Sequence, residues 1–90
     1  MTEQLLEFRG IRLEHLMDYL KDLKAVQQTF KFPFVFEGPD WHAKIISEDE
    51  VRFTPIFVVN AVFIRFEAST EAVLQDVITA YRRKTFRAGG

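Results

Sequence analysis

The chain has no cysteine, which excludes disulfide staples and thiolate metal sites outright. Glycine and proline are scarce, four and three in 90 residues. No Gly/Pro/Ser-rich linker, internal repeat or low-complexity segment divides the sequence, so residues 1–90 read as a single domain. Charge of one sign is also missing: twelve basic and thirteen acidic residues leave a formal net charge of -1. That balance gives no reason to expect nucleic acid or an anionic membrane as partner. The longest apolar run, Ile56 to Ile64, is interrupted by Asn60 and falls far short of the ~20 residues a membrane-spanning helix needs. The first residues, Met1-Thr-Glu-Gln4, are unlike a signal peptide, and the expected compartment is the cytoplasm.

What the chain does have is aromatic bulk: ten Phe, two Tyr and one Trp. A domain this small buries only ~60–65% of its unfolded surface, and aromatic side chains fill a thin core where Ala and Val could not. Homo-oligomerisation is a second way to hide the same load.

Gln4 to Arg9 alternates, with Leu6 and Phe8 on one face, and predicts a strand that Gly10 breaks. From Arg12 to Lys24 the period changes. Leu13, Leu16, Met17, Leu20 and Leu23 trace one helical face. Phe30, Phe32, Phe34 and Phe36 return to period two and predict a strand with four Phe on one side. Pro33 puts that strand at an edge or a bulge. Gly38-Pro39-Asp40 is turn chemistry, and Trp41 to Ile45 reads as the next strand, closing in an acidic turn at Ser47–Glu50. Val51 to Ala68 is too long for one strand. Asn60 tolerates the left-handed conformations of tight turns, so a hairpin of 50–58 against 61–68 is expected. Ser69 or Thr70 then caps a second helix with Glu71 in its first turn. Its stripe is Val73, Leu74, Val77, Ile78 and Tyr81, and Arg82, Arg83 and Lys84 form its last turn.

The expected fold is therefore α+β, in the order β-α-β-β-β-β-α: a two-layer domain with an antiparallel sheet and both helices on one face. A ferredoxin-like fold needs a further strand after the second helix. A ubiquitin-like roll begins with a hairpin instead of a strand and a helix.

Several groups are candidates for chemistry. The closing Gly89-Gly90 is similar to the tail of ubiquitin-like sulfur carriers, whose terminal carboxylate is adenylated and converted to a thiocarboxylate. Glycine also ends helices for conformational reasons alone, and the element order departs from that carrier fold. Arg82, Arg83, Lys84 and Arg87 could contact an anion, although a helix C-terminus is the wrong end for one. Glu48, Asp49 and Glu50, with Glu37 and Asp40, lack the spacing of a calcium loop and read as solvated acids. His15 and His42 stand without a Ser, Cys or carboxylate pair at catalytic spacing. No catalytic, cofactor-binding or metal-ligating residue is therefore assigned. A sheet covered on one side should be polar on the other, so Phe57 or Phe63 on the free face would mark a dimer interface or an apolar ligand site.

The element order, the segment Leu13-Glu-His-Leu-Met-Asp-Tyr-Leu20, the Val51–Ala68 hairpin and the ending Arg87-Ala-Gly-Gly90 together resemble a known domain. It is the C-terminal domain attached to some relatives of the molybdopterin-synthase small subunit (MoaD), and the resemblance spans residues 7–90. It rests on pattern rather than on a sharp motif, and Pro33 and the Phe-rich strand are not part of it. The resemblance implies a TATA-binding-protein-like fold with a curved antiparallel sheet and two helices. It also implies a link to molybdenum cofactor synthesis or sulfur transfer, and it supplies no catalytic residues and no cofactor. The expectation is a non-enzymatic binding domain, a homodimer through the sheet face, with a cofactor-synthesis protein as a further partner. The alternatives are a carrier activated at Gly90 and a domain holding a small apolar ligand between sheet and helices.

Overall fold

A computed structural model describes residues 1–89, with side chains described through Phe86. The elements run β1 (Thr2–Arg9), α1 (Leu13–Asp22), β2 (Val26–Gln27), β3 (Phe34–Gly38), β4 (Trp41–Thr54), β5 (Phe57–Ala68) and α2 (Glu71–Gly89). The five strands make one antiparallel sheet in the order β1-β5-β4-β3-β2. The molecule is α+β, with two helices, as the hydrophobic periods predict.

One face of the sheet supplies the core. Leu6 and Phe8 of β1, Val62, Ile64 and Phe66 of β5, Trp41, Ala43 and Ile45 of β4 and Phe36 of β3 are all buried with Leu16 and Leu20 of α1 and Leu74, Ile78 and Tyr81 of α2. Every strand residue in that set has the same parity along its strand, so both helices lie on the same face. The rings of Phe8 and Phe66 stand edge-on to Tyr81, with centroids 5.3 and 5.2 Å away.

The helix ends follow local chemistry. Lys24 adopts a left-handed φ of 72°, and the Ala25 amide donates back to the Leu20 carbonyl at 3.1 Å, satisfying a carbonyl that the end of α1 leaves free. At α2 the Val73 amide donates to Thr70 Oγ1 at 3.2 Å, so Thr70 is the cap. Glu71 in the first turn accepts from Thr2 Oγ1 at 2.7 Å. That bond, with a second from Gln75, holds its carboxyl below the usual value.

Four expectations change. First, Phe30 and Phe32 belong to no strand and are exposed; only Phe34–Gly38 pairs with β4. Pro33 cannot donate to a ladder, and Thr29 ties the loop instead, donating to the Pro33 carbonyl at 2.8 Å and accepting from the Val35 amide at 2.9 Å. This loop joins β3 to the short β2, which the sequence pattern did not signal. Second, the acidic run is not a turn. β4 continues through Glu48, Asp49 and Glu50 to Thr54, with register shifts between Ile45 and Ser47 and between Arg52 and Thr54.

Third, the hairpin turn lies at Pro55-Ile56 rather than at Asn60. Proline's fixed φ suits a turn, whereas Asn60 sits inside β5 opposite Glu50. Its amide nitrogen donates to the Ile11 carbonyl at 2.6 Å and to Glu48 Oε2 at 2.9 Å. The expected element order survives only because one merged strand offsets one unforeseen strand. Fourth, α2 runs on past Lys84 to Gly89, so Arg82, Arg83 and Lys84 lie within the helix rather than in its last turn. No proline or glycine intervenes before residue 89, and buried Thr85 continues the packed side.

Candidate functional site

The outer face of the sheet, away from the helices, carries the only extensive uncovered strand surface among the described residues. Its character changes along β5. Toward Ala68 it is polar: His42 Nε2 lies 2.8 Å from Glu67 Oε2, and Arg65 Nε lies 3.3 Å from Glu3 Oε2. The exposed Arg65–Glu3 pair contributes little stability, and with the more enclosed His42–Glu67 pair it gives this half of the face its polar character.

Toward the β4–β5 turn the face becomes apolar. β1 stops at Arg9 opposite Ala61, and the Gly10 amide closes its end on the Asn60 carbonyl at 3.0 Å. Beyond that level, residues 50–60 pair only across their own hairpin. None of the residues 51–59 belongs to the buried core. This arm therefore extends past the helices as a bare two-stranded ribbon.

Phe53 and Phe57 are 53% and 55% exposed, and Ile56 at the turn is 96% exposed. The two Phe rings stack at 5.6 Å and 30°, and the Arg9 guanidinium lies 5.9 Å from the centroid of Phe53. That contact fixes the aromatic pair to the outer face, because Arg9 points away from the core that Phe8 enters. Val51 and Val59, opposite one another in register, and half-buried Phe63 share the parity of Phe57. The result is an apolar strip running from Phe57 through Val59 to Phe63, passing over the buried Ala61, with Leu5 of β1 exposed diagonally beside it.

Phe57 and Phe63 thus share one face of β5, about 20 Å apart along the strand. Phe53 and Ile56, the latter at the turn that ends the arm, and Leu5 on β1 add to this exposed apolar surface and were not singled out from sequence. The signal available for the first two was the proline inside a long apolar run.

The other candidates are dispersed. Arg82 and Arg83 border an open cleft of about 450 Å³ with Thr79 and Phe86 on α2, and Lys84 Nζ reaches Asp22 Oδ2 at 3.5 Å. Gly90 and the side chain of Arg87 lie outside the described residues; Gly89 is the last residue of α2. His15 is exposed, 6.5 Å from the Tyr19 ring, and shares no site with His42. Among the described residues no three His, Asp or Glu side chains are grouped to hold a metal. The space between sheet and helices is filled by Phe36, Phe66 and Tyr81. Among the described residues no helix is long and apolar enough to cross a membrane.

No curated protein and no solved structure matches the chain significantly. The profile of one protein family, described as archaeal MoaD-like protein, matches residues 4–90.

Proposed function

This chain belongs to the archaeal MoaD-like protein family, and from that membership we propose a non-enzymatic interaction domain auxiliary to molybdenum cofactor synthesis or sulfur transfer. The observation that carries the reading is the apolar strip ending in the Phe53–Phe57 arm, an exposed patch of the kind that marks protein contacts. A cytoplasmic location and a TATA-binding-protein-like description of the fold go with it; a five-stranded antiparallel sheet with two helices on one face supports the latter.

A second reading has one observation in its favour: the family match runs to residue 90 and so includes Gly89-Gly90. In that reading the Gly90 carboxylate attacks the α-phosphate of ATP and pyrophosphate leaves. A sulfur nucleophile then displaces AMP to give the thiocarboxylate.

Deleting the gene from its source organism separates the two. An auxiliary role predicts loss of molybdoenzyme activity, restored equally by the full chain and by one lacking Gly89 and Gly90. A carrier role predicts that the truncated chain fails to restore it. Unchanged molybdoenzyme activity in the deletion strain would count against both.

A further inference from the structure

We infer that the apolar strip is a self-association surface, covered by the same strip of a second copy packed face to face about a twofold axis running along the arm. This deepens the interaction reading and rests on it. Partial exposure of Phe53, Phe57 and Leu5, with nearly complete exposure of Ile56, leaves roughly 500 Å² of apolar surface on one side of the molecule, toward the upper end for a monomer. Two such surfaces in contact remove roughly 1,000 Å² from water, the threshold of a specific interface before any polar rim is added. A two-stranded ribbon is at best marginal in water by itself, so the arm gains from a second sheet laid across it at the usual ~10 Å spacing.

The charges beside the strip specify the occupant. Arg9 on β1 and Asp49 on β4 are both registered with Ala61 of β5, so the strip is flanked at one level by an arginine, which also pairs with Glu7 Oε2 at 3.2 Å, on one side and by a carboxylate on the other. A twofold axis parallel to β5 exchanges those sides, bringing each Arg9 over the Asp49 of the partner subunit, with the small, buried Ala61 beneath the pair. Asp49 is exposed and has no ion pair among the described residues. An isologous contact of this kind requires one self-complementary patch, which a +/small/− row across three strands provides.

Sedimentation equilibrium of the purified chain over a micromolar range tests the inference without reference to any pathway. A concentration-dependent dimer is expected. Asp49→Arg, on an exposed side chain that holds nothing in the fold, should weaken it roughly tenfold over the two symmetric pairs. Arg9→Asp should do the same, and the double reversal should recover most of the loss. Phe57→Ser should leave a folded monomer by circular dichroism. A wild-type chain that stays monomeric would overturn the inference. So would a dimer indifferent to Asp49→Arg and Phe57→Ser, since it must use another surface. Either result leaves the genetic test of the auxiliary role untouched.

Discussion

Tyr81 on α2 joins the sheet to α1. Its ring meets Phe8, Phe66 and Tyr19, and its hydroxyl donates to the Leu16 carbonyl at 2.8 Å. Burial pushes the phenol far above its ordinary value of 10.0, so the folded state keeps the proton that the unfolded chain releases. Stability is therefore intact below that ordinary value and falls as pH rises past it. Tyr81→Phe keeps the ring contacts and removes the hydroxyl's bond, leaving the Leu16 carbonyl its helical one. We expect a loss of about 1–2 kcal/mol in urea unfolding near neutral pH, with a shallower decline in alkali than the wild type shows. Gly38 is a second sensitive point: a Cβ there would run into the indole of Trp41. That ring is buried against Phe66 and has little room to yield. Gly38→Ala should cost about 1–3 kcal/mol by overpacking, and the emission of the sole tryptophan should shift with it.

Among the elements, the arm is separable. Glu50 and Asn60 face each other in register, so the nine residues between them can be replaced by an Asn-Gly turn without altering the ladder below. The shortened chain should fold, with a melting midpoint within about 5 °C of the wild type, and should sediment as a monomer. The same element shows what the sequence can and cannot reveal. The stripes of α1 and α2 were legible because one helical face is buried and the other is not, as with Leu16 and Leu20 against Glu14 and Asp18. Strand faces were legible too, in Leu6 with Phe8 and in Val62 with Ile64. Pairing was not. Phe30 and Phe32 keep the period of Phe34 and Phe36 but have no neighbouring strand to cover them. Asn60 resembles a turn residue until its partners, the Ile11 carbonyl and Glu48, are known. The apolar strip is half legible: Phe57 and Phe63 stand out among the aromatic residues, while the row of Arg9, Ala61 and Asp49 depends on register between distant segments.

At the scale of the molecule, the topology sets an order of assembly. β3, β4 and β5 are joined by short turns, whereas β1 finds its place along β5 from the opposite end of the chain, Thr2 against Ala68 and Arg9 against Ala61. Local hairpins close early and distant pairings late. While β1 is undocked, the edge of β5 from Ala61 to Ala68 is a bare template for any chain nearby. Refolding from denaturant should therefore lose yield as protein concentration rises, and a synthetic peptide of residues 2–9 added in excess should recover it. A β1 peptide that gives no protection would mean that aggregation starts elsewhere. In the cell, the same interval makes β1 the chain's own chaperone: an eight-residue strand that emerges before the β5 edge it covers.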